Sequence, residues 1–498
     1  MAIRRGLPVR DSGRSRPGSG MNNELWRWSA TKIVDAIRAK EISSAEVVAA
    51  SLERLEQVEP VSNAFGEVAE DAVARAKEAD AALARGESVG ALHGVPVAFK
   101  MNTDVAGKPT ADGVEEYLGM RAGETAPVVQ NLLAAGAVEL GRTNVPSFSL
   151  RWFTESEHWG RTLNPWDPKV TPGGSSGGAA VAVATGVVPI AHGNDLGGSL
   201  RYPGAVCGVV GLRPTIGRVP IWHAPPGTGM PLAFTEFVAE GAITRNVADA
   251  RLALRVMERP DSRDPNHVAS PGVPSARNPR RVALVTNPGQ HPFACSGARE
   301  TEAAVQLAGT WLAEAGYEVD EVELPLLGEA ATLWWRLLFA DLKELGFVQE
   351  IHRVREAMSS QVISHQLDVV EEALGELTLQ NFMAAWSRRH LLRRQLSEFM
   401  DDHPLLVLPN SGELPFAYGR DLGTVDETRE VMTNQWPNTS VPFFGLPAMG
   451  LGVIRGAGAP LGVQLVARAF DEEALFAGGE IIELRSGITT PVDPQTLG

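Results

Sequence analysis

Residues 164–178 read NPWDPKVTPGGSSGG, and the last six, Gly173-Gly174-Ser175-Ser176-Gly177-Gly178, put two hydroxyls on a backbone almost free of side chains. Three chemistries use such a loop. A phosphate-binding loop needs a lysine straight after its glycines, and none stands there. A nucleophile elbow fits the spacing G-x-S-x-G with Ser175 as nucleophile, which would make the protein an esterase of the α/β-hydrolase type. An elbow is fed by a strand, however. Pro165, Pro168 and Pro172 make this approach a poor central strand, because each removes a ladder donor.

The third reading pairs the loop with a second glycine-rich segment, residues 192–203, HGNDLGGSLRYP. There Gly197-Gly198-Ser199 sets a hydroxyl after two glycines, where backbone N–H groups can converge on an oxyanion without obstruction. A serine hydroxyl is a weak nucleophile until a base removes its proton. No histidine in either segment has an obvious aspartate partner. Upstream, the apolar run GVPVAFK, Gly94 to Lys100, predicts a buried strand ending in a lysine. Burial favours the neutral amine, and a neutral amine is a base.

Around these segments helix and strand patterns alternate. Ser29 precedes one helical pattern, and Ser43 stands three residues before Glu46 in capping-box spacing. Further helices are predicted over about Glu70 to Ala84, Ala126 to Ala135 and, in small residues, Ala179 to Thr185. A strand is predicted at Val138 to Leu140. Pro260 to Pro279 carries five prolines and reads as a surface linker. Beyond it, strands are expected at Arg281 to Thr286, Tyr317 to Leu324, Leu405 to Leu408 and Gly462 to Val466. Helices are expected over Glu302 to Ala315 and along the region from Ala330 to Phe399. This alternation predicts an α/β domain around a largely buried sheet.

Composition narrows the function. The chain has 498 residues, 44% of them hydrophobic, enough for a large core, and a formal net charge of −15. That acidity argues against a protein built to grip nucleic-acid phosphate. Two cysteines, Cys207 and Cys295, are too few for a disulfide framework or a cysteine-rich zinc site, and read as buried thiols of a reducing compartment. The most apolar stretch, Ala179 to Ala191, is too short to span a membrane. Arginines among Ser, Gly and Pro open the chain with no apolar segment behind them, so residues 1–24 are expected to be a disordered tail and the location cytoplasmic.

Taken together, the motifs resemble those of the amidase-signature hydrolases over nearly the whole chain. GVPVAFK at Gly94 to Lys100, GRTNVP at Gly141 to Pro146, NPW at Asn164 to Trp166 and GGSSGG at Gly173 to Gly178 are followed by DLGGSLRYP at Asp195 to Pro203. CGVVGLRPTIGRV at Cys207 to Val219, GLPAMGL at Gly445 to Leu451 and PLGVQLVAR at Pro460 to Arg468 complete the set. The resemblance implies an amidase-signature α/β fold with a mixed central sheet covered on both faces by helices, over residues 25–483, and a C-terminal tail at 484–498. It implies a Ser–cis-Ser–Lys triad at Ser199, Ser175 and Lys100, with the cis peptide at Gly174–Ser175. Ser199 would attack, Ser175 relay the proton and Lys100 act as the ultimate base. Backbone N–H groups of Leu196, Gly197, Gly198 and Ser199 would form the oxyanion hole, and no metal or organic cofactor is expected. Asn194 and Leu196 stand where many relatives carry threonines, and Met101-Asn102 where many carry Asp-Asn.

The remaining candidates divide between support and substrate. Gly174, Ser176, Asp195 and Arg201 are expected to hold the site, the last two as a pair bracing the nucleophile loop. His192 and Cys207 read as packed core, and Arg388 to Arg394 as a solvated helix face. Trp152, Phe153, Trp334, Trp335 and Trp386 are candidates to line an apolar pocket. The expected substrates are therefore small to medium apolar amides such as aryl amides and anilides, with esters and carbamates open to the same chemistry. A monomer or homodimer is expected, with no nucleic-acid or membrane partner. The alternative kept open is the amidotransferase component of a tRNA-dependent complex, although the glutamate/serine-rich block typical of that branch is missing.

Overall fold

Eleven strands join into one sheet in a computed structural model that describes residues 22–222, 229–269, 276–354, 356–455 and 458–496. In chain order they are β1 (Phe65–Val68), β2 (Pro96–Lys100), β3 (Val138–Thr143), β4 (Ile190–Asp195), β5 (Val210–Arg213) and β6 (Ala239–Thr244). They continue as β7 (Arg281–Leu284), β8 (Glu318–Glu321), β9 (Leu405–Pro409), β10 (Ala448–Ile454) and β11 (Leu461–Ala467). Across the sheet the order is β1-β3-β2-β4-β6-β5-β10-β11-β9-β7-β8. Strands β3, β2 and β4 run parallel, as do β9, β7 and β8, and the pairings from β4 through β6, β5, β10 and β11 to β9 are antiparallel. The sheet is mixed, as expected.

Both faces are covered. In β2, Val97 and Phe99 join one hydrophobic core while Ala98 joins the other, and β9 divides Leu405 and Val407 from Leu406 and Leu408 in the same way. Successive side chains of a strand point to opposite faces, so a run that is apolar at every position must be buried on both. On one face lies the helix Gly177–Ala184, whose eight small or β-branched residues are all fully enclosed.

Several expectations shift in detail. The region from Ala330 to Phe399 is four helices, Leu326–Glu344, Phe347–Arg353, Ala357–Leu374 and Leu379–Met400. The strand expected over Tyr317 to Leu324 shortens to the exposed edge strand β8. Arg389 is not solvated: it is 5% exposed and donates to the Phe443 carbonyl and to Glu236. Of the expected N-terminal tail, residues 1–21 lie outside the described residues, while Asn22–Arg27 form a 3-10 turn that buries Leu25. At the other end the helix Glu472–Ser486 runs past 483, and the segment expected as a tail docks on the body. Val492 N donates to Ala184 O, Gln495 N to Pro165 O, and Arg54 to Val492 O. No helix among the described residues is long and apolar enough to cross a membrane.

Candidate active site

Lys100 ends β2 and Asp195 ends the neighbouring parallel strand β4, so both emerge at one carboxyl edge of the sheet, where open α/β sheets place their ligands. The Gly173–Gly178 loop is tied down between these strands by the chain at 151–154. Thr154 Oγ1 donates to Gly173 O and accepts from Gly177 N, and Thr171 Oγ1 donates to Trp152 O. A Cβ on Gly174 would lie 2.3 Å from the Arg151 carbonyl oxygen, so only glycine fits there. The peptide Gly174–Ser175 is cis, as the resemblance implied. No strand leads into this loop, so it lacks the strand-fed turn of a nucleophile elbow, and Ser175 Oγ lies against an amine.

That amine is Lys100 Nζ, 2.7 Å from Ser175 Oγ and 2.7 Å from Asn194 Oδ1. Lys100 is fully buried, and both of these partners are neutral. Burial therefore dominates and brings its ammonium down to about 8, against the pull of the Asp112, Glu240 and Asp195 charges. At pH 7 about a tenth of such a group is a free amine, against about three in ten thousand for an ordinary lysine. Ser199 stands partly exposed in the turn that leads into the helix Arg201–Val206. Its Oγ makes no hydrogen bond among the described residues, so the closed link is Lys100 to Ser175.

Asp195 and Arg201 brace the Ser199 loop from below. The Asp195 carboxylate accepts from the backbone N–H groups of Gly198 and Leu200 and from Nε and Nη2 of Arg201. Arg201 also donates to Gln464 and to the carbonyls of Pro437 and Asn438, which ties the loop to β11 and to the helix Trp436–Phe444. Burial opposes ionisation of Asp195, but Arg201 and Arg213 outweigh it and hold the carboxyl at about 2. Gly198 lies at φ +95°, and a Cβ there would meet Asn438 at 2.4 Å.

This bracing corrects the expected oxyanion hole. The Gly198 N–H is engaged by Asp195 Oδ1, 2.8 Å away, while the N–H groups of Leu196, Gly197 and Ser199 make no hydrogen bond among the described residues. Two tryptophans expected in the pocket anchor carbonyls of this turn instead. Trp334 Nε1 donates to Leu196 O at 3.2 Å, and Trp152 Nε1 to Gly197 O at 2.8 Å. A trans peptide sets its N–H opposite its carbonyl, so anchoring the Leu196 carbonyl aims the Gly197 N–H the other way. Trp334→Phe, which keeps the ring and removes the donor, is expected to lower kcat about tenfold with KM little changed. That is less than the ~10²-fold loss of a direct oxyanion donor, and steady-state kinetics on any turned-over amide would measure it.

The other pocket candidates stand in aromatic clusters. Phe153 stacks on Phe416 in the core, and Trp335 is enclosed by Trp152, Phe293, Trp334 and Phe339. Trp386 stacks on Phe237 with the Arg389 guanidinium over its ring. Ser176 Oγ is buried against Gly193 with no hydrogen-bond partner among the described residues, so it supports the loop by packing. His192 is held by Glu240 at 2.5 Å, and Cys207 Sγ donates to the Pro172 carbonyl. Asn194, noticed in the sequence only as a departure, and Asn102 form a reciprocal amide pair beside the lysine. Among the described residues no cluster of His, Cys, Asp and Glu forms a metal-ligand set.

With this geometry in place, the comparisons are specific. A family model described as Amidase matches residues 46–476. An indoleacetamide hydrolase of Bradyrhizobium diazoefficiens is 36% identical, over 93% of this chain and 87% of its own length. A glutamyl-tRNA(Gln) amidotransferase chain of Moorella thermoacetica is 31% identical, over 92% of this chain and 97% of its own. The crystal structure of a bacterial aryl acylamidase of the amidase signature family superposes with a TM-score of 0.78 at 25% identity, covering 93% of this chain and 97% of that one.

Proposed function

This chain belongs to the amidase family, and on that premise we propose that it hydrolyses the C–N bond of small to medium apolar amides through an acyl-enzyme on Ser199. The observation that carries the reading is the 2.7 Å contact between a buried, neutral-partnered Lys100 amine and Ser175 Oγ.

Ser199 Oγ attacks the substrate carbonyl carbon as its proton passes to Ser175 Oγ and the Ser175 proton passes to Lys100 Nζ. The carbonyl π electrons move onto oxygen, facing the N–H groups of Leu196, Gly197 and Ser199. The intermediate collapses, the C–N bond breaks, and the leaving nitrogen takes the proton back from Lys100 through Ser175. Water then attacks the ester by the same relay and frees the acid and Ser199. Catalytic hydrogen bonds are often open in an unliganded enzyme, and Ser199 closes onto Ser175 when the carbonyl fills the site. An ester or carbamate presents the same carbonyl and a leaving group to be protonated, so both belong to the accessible chemistry.

An aromatic amide is favoured by the relatives, since an indoleacetamide hydrolase and an aryl acylamidase both name one. Steady-state assays of the purified chain on indole-3-acetamide, 4-nitroacetanilide, a nitrophenyl ester and an aryl carbamate test this, with peptide mapping of the acylated residue. Turnover by the chain alone with label on Ser199 is expected. Label on Ser175, or turnover only with added partner chains and tRNA, would overturn it, the latter in favour of an amidotransferase component.

A further inference from the structure

Beside the lysine lies a run of polar side chains that the proton relay leaves unused. Asn194 Oδ1 accepts from Lys100 Nζ at 2.7 Å and from Asn102 Nδ2 at 3.2 Å, and Asn194 Nδ2 donates to Asn102 Oδ1 at 3.1 Å. Asn102 Nδ2 also donates to Ser149 Oγ at 3.1 Å, and Ser149 Oγ donates to Asp112 Oδ1 at 2.6 Å. Thr103 Oγ1 donates to Asn102 Oδ1 at 3.2 Å.

The polarity of this run is forced from its far end. A carboxylate only accepts, so the single hydroxyl proton of Ser149 goes to Asp112. Ser149 must then accept from its other neighbour, which turns the amino group of Asn102 toward it and the Asn102 oxygen toward Thr103 and Asn194. Asn194 must in turn donate to that oxygen, and its own oxygen is left facing Lys100. A flipped Asn194 would aim an N–H at the amine and occupy the lone pair that has to reach Ser175.

We propose that Asp112, Ser149, Asn102 and Asn194 form a positioning chain that orients the Lys100 amine, engaging its N–H and leaving its lone pair directed at Ser175. This rests on Lys100 being the base. The backbone is built to hold the chain in place: Asp112, Phe148 and Ser149 all sit in the left-handed region, at φ +43°, +60° and +53°. Phe148 N donates to Asp112 O at 2.8 Å, which clamps the two strained segments together. Strained non-glycine residues persist where the surroundings over-determine them, and two of these three, Asp112 and Ser149, are links of the chain that ends at the lysine. Asn194 is a neutral acceptor, so it orients the amine without adding a charge that would keep it protonated. The charged groups that face Lys100 are Asp112, Glu240 and Asp195, with Glu240 bonded to His192 and Asp195 paired with Arg201 and Arg213.

The rate at which a fluorophosphonate probe modifies Ser199, followed from pH 6 to 10, tests the chain without knowledge of the substrate. Asn194→Asp, nearly isosteric, puts a carboxylate against the amine, and its inflection is expected to rise by about one unit or more. Asp112→Asn removes a charge that raises the lysine and should move the inflection down. Asn194→Ala and Ser149→Ala are expected to lower the plateau rate about 10- to 100-fold, the scale of a misplaced base. Asn194→Thr, which brings an acceptor of its own, should recover part of it. Wild-type plateau rates in both alanine variants, or an unmoved inflection in Asn194→Asp, would overturn the proposal. If Asn194→Ala does not fold by circular dichroism, Asn194→Asp and Ser149→Ala decide. Lys100→Ala in the same assay separates the two readings, because full labelling there overturns the base itself.

Discussion

Lys100→Ala is expected to lower kcat/KM by about 10²–10⁴-fold, the usual contribution of a positioned base, and to remove the acid limb of the pH profile. The wild-type profile should rise with pH and level off above about 8, because the reacting form is the neutral amine and burial brings Lys100 down to about 8. The sign follows from the direction of that shift: a lysine left at its ordinary value would put the rise more than two units higher. Lys100→Arg should not rescue, since a guanidinium stays protonated across this range and cannot take the Ser175 proton. Steady-state kinetics on an activated ester between pH 6 and 10 measures both effects. A variant that keeps the wild-type profile would remove Lys100 from the mechanism.

Asp195→Ala should cost the protein about 3–5 kcal/mol, because it leaves buried guanidinium charge without its counter-ion. Arg201 and Arg213 are both fully buried against this carboxylate, and the N–H groups of Gly198 and Leu200 lose their acceptor as well. The midpoint of urea unfolding should fall accordingly, and activity should vanish even at temperatures where the variant is folded, because this group holds the Ser199 turn from below. The pH dependence carries the same sign. Asp195 is held at about 2 in the folded chain, below an unfolded carboxyl near ~4, so its contribution is complete above that unfolded value. It is lost as pH falls toward 2. A loss of less than about 1 kcal/mol would mean that the pair is no more than a surface-grade contact.

The residues proposed to supply the chemistry were open to reading one motif at a time. A lysine at the end of an apolar run, a serine between glycines and an Asp-x-Gly-Gly-Ser turn each announce a buried amine, a hydroxyl on an exposed backbone and a set of convergent N–H groups. The alternation of elements predicted an α/β domain and the family resemblance a mixed central sheet, while the strands β1, β4, β5, β6 and β10 were not read from the sequence. The C-terminal boundary was less legible, since Val492 and Gln495 dock through backbone hydrogen bonds to Ala184 and Pro165 that leave no mark on side-chain pattern.

What could not be read was how those groups share their hydrogen bonds. Aromatic side chains signal burial, but only packing shows that Trp334 and Trp152 donate to carbonyls 138 and 45 residues away and so hold the turn that carries Ser199. The Gly198 N–H looks open in the sequence and is closed by Asp195. Asn194 looks like a lost threonine and proves to be an acceptor for the lysine. Residue type sets what a group can donate or accept, which is local and written in the chain. Which partner it meets depends on segments far apart in sequence being brought within about 3 Å, the reach of a hydrogen bond, and that is settled only when the sheet and its helices close around them.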